Sequence, residues 1–514
     1  MMELPEVSCS EIIDAIQDKL PVLFFVFSRG RTELLAQELG REWDFLNYQE
    51  KKEVVDLIKN AEAEQPGAFN GPGWRNLRRL LQQGIAYHHA GLLPPVKYLI
   101  EKLYASRMLW VVFCTETFAA GVNFPAASAV FDSTRKWDGH DFRILQNREF
   151  YQMAGRAGRR GYDRIGHAFI RVDSRFPEQT GFFDEKAIEP VSGRLVISPN
   201  TVLSLLRYKT DEEINRFLNE NFKMYQLKKK QKVLQEELAA LSQRLSDLSA
   251  NMCSEYGRLT CPVERARARK KLKRKHWKNK NREMDLLQKQ LSLHTPKNCR
   301  NYKRCLSLSE KSKKVYAKRQ AVNQAYAATT QQIASVFAEY NEVRDLLERL
   351  GYMKGREFYP RGIFALELHV QEILVTELAF SGLLEDTEPA EAAAILAGIE
   401  FVPGRSTRVE MINLPALQQT HALRNQLLRL GVPEKFCIWS SLPCSLAYAW
   451  CNGASFNELL EMTSMQPGDI FSIFRREIDL LRQIERAAVG NTALIERVQQ
   501  LRGLLDRDEI ALTF

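Results

Sequence analysis

Along the first 174 residues, short apolar runs alternate with amphipathic stretches. The runs are "VLFFVF" (22–27), "GIAYHH" (84–89), "LWVVFC" (109–114), "SAVFDS" (128–133) and "GHAFIRV" (166–172). Between them lie helix-like segments at Arg31 to Arg41, Pro94 to Met108 and Gln146 to Ala157. Apolar strands separated by helices predict βαβ units and a parallel sheet covered on both faces, an α/β lobe. In such sheets ligands meet the loops beyond the carboxyl ends of the strands, which is where "FSRGR", "CTETFAAG" and "AGRAGRRG" fall.

From Gln226 to Arg349 the pattern changes to long charged helices. Leu234, Leu238, Leu241, Leu245 and Leu248 recur at three- and four-residue steps, a narrow seam that predicts an antiparallel coiled-coil hairpin. Its tip is the stretch from Cys253 to Cys305. Beyond it the chain reads as mostly helical, with breaks near Pro403, Pro433 and Pro467. The predicted organisation is an α/β lobe over 1–174, the hairpin over 226–345 and a helical domain over 386–514, with 175–225 and 346–385 flanking the hairpin.

Charge sharpens this picture. The net charge is +10, but Lys228 to Arg319 holds 27 Lys and Arg against 8 Asp and Glu, which is +19 and leaves −9 for the rest. Within that block "RARARKKLKRKHWKNKNR" (265–282) has eleven basic residues, no acid, and Trp277. Such a segment suits a polyanion, with phosphate contacts through Arg269, Lys270, Lys271 and Lys273 and base stacking on Trp277; the alternative is a solvated helix face. No apolar run approaches the ~20 residues that span a bilayer. The acidic N-terminus lacks a signal-peptide pattern, so the expected location is cytoplasmic. Nine cysteines in 514 residues then read as reduced thiols or metal ligands. Cys253, Cys261, Cys299 and Cys305 flank the tip in two pairs, and four thiolates suit tetrahedral zinc; burial in a small tip core is the alternative. Cys437, Cys444 and Cys451, spaced by sevens among apolar residues, read as a buried helix seam.

Several loops of the lobe suit phosphates. In "QMAGRAGRRG" glycines allow close backbone approach, and guanidiniums can chelate phosphate oxygens in pairs. Taken together and in this order, "FVFSR", "GIAYHHAGLLP", "TETFAAGVNFPA" and "QMAGRAGRRGYD" resemble motifs IV, IVa, V and VI of superfamily-two helicases. They are most similar to the superkiller-like DExH-box RNA helicases that assist the RNA exosome. The likeness extends through "RLVISPNTVLSLLRYKTDEEINRFLNENFKMYQ", which looks like that group's winged helix, and through the helical end. The resemblance implies a second RecA-like lobe, a winged helix, an arch-like insertion and a helical domain.

Carried over residue by residue, the resemblance places Gln152, Arg156 and Arg159 at bound ATP, with Arg159 as the arginine finger. Gly121 and Asn123 would lie at the nucleotide edge of motif V. Ser28, Arg29 and Thr115 would touch the nucleic-acid backbone, although structural salt bridges are the alternative for the arginines. His88 and His89 read as satisfied structural residues. In "GDIFSIFRREIDLLRQIERA" Ser472, Arg476 and Asp479 share one helix face, and the segment resembles the group's ratchet helix, with Arg476 and Asp479 at base-contacting positions.

No "GKT", "GKS", "DExH" or "DEAD" occurs, and the chain opens where a second lobe would begin. The phosphate-holding loop and the magnesium ligands are therefore expected on a first RecA-like lobe, from another chain or a missing gene part. The expectation is an RNA helicase portion that is inactive alone, with single-stranded RNA and the RNA-degradation machinery as partners. The alternatives are a non-catalytic RNA-binding adaptor, a decayed gene fragment, and DNA as the substrate.

Overall fold

The computed structural model describes residues 7–71, 73–121, 125–159, 161, 163–173, 183–253, 256, 261–263, 265, 299–404 and 407–511. All five apolar runs are strands: β1 Val22–Phe25, β2 Ile85–His88, β3 Val111–Cys114, β4 Ser128–Phe131 and β5 His167–Ile170. They form one parallel sheet in the order β2-β3-β1-β4-β5, with Val22 opposite Val111 on one side and Ser128 on the other. Central β1 exposes none of its four side chains, because helices cover both faces. Phe24 meets Phe113 at 5.0 Å and Phe25 meets Phe131 at 5.5 Å between ring centroids. Each such side chain contributes about 1.5–3 kcal/mol by leaving water.

Three helices position the functional loops of this lobe: α1 Arg29–Glu42, α2 Pro94–Ala105 and α3 Asn147–Ala154. The start of α3 is held firmly. The amides of Asn147 and Arg148 both donate to the Glu189 carboxylate at 2.9 Å, satisfying donors that a helix start leaves open. Glu149 closes a capping box with Gln146. Burial would raise the Glu149 carboxyl, but hydrogen bonds from Arg143 and Lys136 outweigh it and hold its pKa at about 2.

The chain divides into two compact units, 1–191 with 346–514, and 192–345. In the second unit, helices α4 Pro199–Tyr208 and α5 Asp211–Asn219 precede two long ones, α6 Phe222–Ala250 of 29 residues and α7 Tyr302–Arg349 of 48, the latter running on into the first unit. Leu241, Val315 and Val322 form a cluster, and Leu234, Leu238, Leu245 and Leu248 pack against it. The leucine seam read from the sequence is thus the line along which α6 and α7 meet.

The C-terminal part is mostly helical. Its core comprises α8 Glu372–Phe380, α9 Pro389–Ala397, α10 Pro415–Arg429, α11 Cys444–Cys451, α12 Pro467–Ala487 and α13 Thr492–Leu505. Trp450 of α11 is fully buried, and its indole N–H donates to the Leu505 carbonyl at 3.1 Å. Cys437 and Cys444 are buried here too, and burial pushes the Cys437 thiol up to about 11, so both behave as small apolar residues.

Because β1 anchors both flanks of the sheet, Phe24→Ala should destabilise the lobe by about 3–5 kcal/mol, read from denaturant unfolding. Tyr48→Ala, at a side chain that is 86% exposed, should stay within about 0.5 kcal/mol of the parent.

Candidate nucleotide and nucleic-acid site

The glycine- and arginine-rich loop follows α3 and is held on both sides. Ala126 donates its amide to the Arg156 carbonyl at 2.9 Å, and Gly158 returns a bond to the Ala126 carbonyl at 2.8 Å. The segment after β3 and the loop after α3 are therefore stitched together before β4. Gly158 has φ +98°, a conformation that side chains with a Cβ rarely adopt. A Cβ on Gly166 would lie 2.3 Å from the Ala157 carbonyl oxygen. These two glycines let the loop fold back against the start of β5.

Within the loop Gln152 is exposed at the end of α3, and Arg156 lies one turn further on. Arg159 is held by Asp163 through Nε at 2.7 Å, Nη2 at 2.9 Å and its own amide at 2.8 Å. The guanidinium beside it keeps the Asp163 carboxyl at about 2, so the pair is fully ionised at neutral pH. Asp163 thus occupies both Nε and Nη2 of this guanidinium, the intrachain salt bridge that is the alternative reading for these arginines. Gly121 ends the short helix Glu116–Gly121, while Asn123 lies outside the described residues. The structure thus puts Gln152 in the last turn of α3 and Arg156 and Arg159 on the loop that follows it.

The residues expected at nucleic acid divide into distinct settings. Ser28 is the exposed N-cap of α1, and its hydroxyl makes no capping bond. The Thr115 hydroxyl pairs with that of Thr117 at 2.9 Å. Arg29 lies elsewhere, in an ion pair with Asp469 at 2.7 Å and a hydrogen bond to Gln466 at 3.1 Å, both at the start of α12. Arg476 and Asp479 are exposed on α12 and line a cavity of about 320 Å³ together with Val370, Leu396, Ile399 and Leu480. Arg269, Lys270, Lys271, Lys273 and Trp277 lie outside the described residues. Among the described residues no three His, Cys, Asp or Glu side chains stand ready to hold a metal ion. Cys253, Cys261 and Cys305 nevertheless pack in one cluster.

The Arg29 pairing belongs to an interlock that sequence reasoning missed. Gly468 donates its amide to the Gly91 carbonyl at 2.9 Å. Gln466 donates to Glu33 at 3.3 Å, and Glu33 also accepts from His89 at 3.1 Å. His89 Nδ1 accepts the Gly91 amide, which fixes the proton on Nε2. Gly468 is required by the approach, since a Cβ there would sit 2.3 Å from the Ala90 carbonyl oxygen, while a Cβ on Gly91 would displace the Gln466 side chain. His88 is buried, which lowers its pKa and keeps it neutral, and it pairs with Glu101. His89 has a partner at each ring nitrogen, whereas the buried His88 Nδ1 has none.

A second residue was missed. Glu477 is 2% exposed on the inner face of α12, and neither carboxyl oxygen has a hydrogen-bond partner. Its place between Phe474 and Ile478, on the apolar side of the helix, is the sequence mark that could have found it. Burial raises its pKa well above the usual 4.5, so it is a neutral acid in the folded chain.

Two family models match the chain: the helicase conserved C-terminal domain over residues 72–161 and the DSHCT (NUC185) domain over residues 356–512. The chain is 35% identical over 233 residues to mouse "Superkiller complex protein 2", covering 45% of this chain and 19% of that protein. It is 38% identical over 197 residues to mouse "Exosome RNA helicase MTR4", covering 38% of this chain and 19% of that protein. It is 42% identical over 162 residues to the Arabidopsis thaliana "DExH-box ATP-dependent RNA helicase DExH11", covering 31% of this chain and 12% of that protein. The matched regions therefore span less than a fifth of these relatives' own lengths.

The buried acid gives a pH signature. Folded and unfolded states both hold Glu477 neutral below about 4.5, and above it only the unfolded state releases the proton. Relative to Glu477→Gln, the parent should lose about 1.4 kcal/mol of stability per pH unit above that point, until the folded pKa is reached. Parallel stability-versus-pH curves for the two proteins would contradict this placement.

Proposed function

We propose that this chain, which is the C-terminal part of a superkiller-like superfamily-two RNA helicase, supplies the second motor lobe and the strand-guiding helices of an ATP-driven RNA helicase. The observation that carries the proposal is the stitching of the Arg156–Gly158 backbone to Ala126, with Arg159 held flat against Asp163. The loop offers guanidiniums where an anionic phosphate chain would meet the lobe. When ATP is bound with magnesium, the reaction supplies a transferring γ-phosphoryl group whose developing charge an arginine can stabilise.

In this reading Arg159 neutralises that charge, Arg156 and Gln152 orient the phosphates, and Gly121 and Asn123 approach the nucleotide edge. Asp163 is a positioning residue that keeps the Arg159 plane fixed. The 514 residues contain no phosphate-binding lysine loop and no DExH acid pair. The magnesium ligands and β-phosphate contacts therefore come from a first RecA-like lobe, and hydrolysis needs both halves.

RNA is assigned to three places. Ser28 and Thr115 present hydroxyls at strand ends, suited to phosphate oxygens. Arg476 and Asp479 flank the cavity beside α12, where a base of the single strand would lie. The basic tip between the long helices, with Arg269, Lys270, Lys271, Lys273 and Trp277, adds phosphate contacts and one stacking platform. The winged-helix assignment rests on the sequence stretch 194–226, which contains α4 and α5, and the coiled-coil assignment on the leucine seam. We assign Arg29 to the interlock rather than to nucleic acid. RNA as the substrate and RNA-degradation machinery as the partner follow from the names of the relatives.

The purified chain with single-stranded RNA should hydrolyse no ATP above background, and addition of a first RecA-like lobe should restore RNA-stimulated turnover. In that combination Arg159→Ala should lower kcat by about 10³–10⁵. Turnover by the chain alone would contradict the division of labour, and would also set aside a purely RNA-binding adaptor. Reversing the charges of Arg269, Lys270, Lys271 and Lys273 together should weaken RNA binding. It should also reduce the salt slope by about 0.7 for each phosphate no longer neutralised. Unchanged affinity would remove the tip from the interface.

A further inference from the structure

The face of α6 that looks away from the leucine seam is not the purely polar surface such a face ordinarily presents. Phe222, Tyr225, Lys229 and Lys232 follow one another at three- and four-residue steps and so share one stripe, with Val233 beside them. All five are exposed, Phe222 at 52%, Tyr225 at 58% and Val233 at 56%. The seam residues Leu234, Leu238 and Leu241 lie on the opposite side, against Val315 and Val322 of α7. The two aromatic rings thus lie outside the hairpin's own core.

The positions on either side of the stripe are taken up by this chain. On one flank the Lys228 ammonium donates to the carbonyl and side-chain oxygens of Asn219, at 3.1 and 3.2 Å, and ties down the end of α5. On the other, Gly193 donates its amide to Gln226 at 2.8 Å, and a Cβ on Gly193 would lie 2.4 Å from the Lys223 amide nitrogen. The stripe between them stays open, and neither Lys229 nor Lys232 makes an ion pair among the described residues. The Phe222 and Tyr225 rings are 6.4 Å apart between centroids and 13° from parallel, so flat groups laid on them would stack in one orientation. From Glu220 to Val233 the chain holds five lysines and one acid, and Glu236, next on the stripe, ends it.

We propose that this stripe, at the root of the hairpin, binds single-stranded RNA, with Phe222 and Tyr225 stacking on bases and Lys229 and Lys232 meeting phosphates. A protein partner fits less well, because two rings and a valine make a small apolar patch and lysine is depleted from the centres of protein interfaces. Flat faces alongside unpaired cations match a single strand, whose bases are free to stack and whose backbone is anionic. The proposal rests on RNA being the substrate of this chain. It adds a contact separate from the basic tip, which follows the far end of α6 in the sequence.

Anisotropy of a fluorescent oligouridylate titrated with the full chain tests this. Phe222→Ala and Tyr225→Ala should each weaken binding about 5- to 150-fold, the loss of one stacked base, at an unchanged salt slope. Lys229→Gln combined with Lys232→Gln should instead lower that slope by about 1.4, at 0.7 for each single-strand phosphate. Tyr48→Ala, at an exposed ring of the α/β lobe, should do neither. Photocrosslinking of thiouridine-substituted RNA to the parent should label the peptide that carries Tyr225, which keeps the test decisive if a variant misfolds. Parent-level affinity in the Phe222→Ala, Tyr225→Ala double variant would overturn the proposal and leave the wider RNA reading intact. So would an unlabelled Tyr225 peptide, or variants that release a bound protein and not RNA. Failure of the parent chain to bind the oligouridylate at all would overturn both.

Discussion

The amide of Gly468 donates to the carbonyl of Gly91, and the architecture of the larger unit depends on that approach. Only a glycine at position 468 allows the backbones so close, and once there they bring Gln466, Asp469, Arg29, Glu33 and His89 into one hydrogen-bonded set. The Arg29–Asp469 pair is more than a third exposed on each side, so its own contribution is small, about 0–1 kcal/mol. Its value is directional, since it fixes where α12 starts relative to α1. A second seam supports the first, where Gly67 of the lobe faces Glu509 near the end of the chain.

This interlock joins two chemistries. At one end of the unit, the loop after α3 holds Arg159 in an ion pair with Asp163. At the other, α12 sets Arg476 and Asp479 beside an apolar-walled cavity. The lobe meets the first turn of α12 through short, specific contacts, Gly468 to Gly91 and Arg29 to Asp469.

The sheet was legible because a parallel strand buried on both faces must be a continuous apolar run, and "VLFFVF" and "LWVVFC" are such runs. The seam of the hairpin was legible from leucines at helical spacing. The arginine loop was legible from its glycines, although the Asp163 clasp on Arg159 was not. The partner of Arg29 could not be read, because Asp469 lies 440 positions away and no periodicity links them. Gly468 gave no local sign, since it is required by the backbone of residues 90–92 and not by a turn of its own, and Gly91 faces the side chain of Gln466. Glu477 is not marked by its charge, since it follows two arginines in "FRREID"; only its burial sets it apart.

The lobe and α12 should behave as one block through the Gly91–Gly468 contact. Native-state hydrogen exchange tests this most directly, through the amide of Gly468, which leaves the helix start and crosses to the lobe. That amide should open with the same free energy as the Val112 amide of β3, and Gly91→Val should abolish its protection while leaving Val112 unchanged. Exchange of Gly468 at the rate of a frayed helix end in the parent chain, with Val112 fully protected, would contradict the coupling.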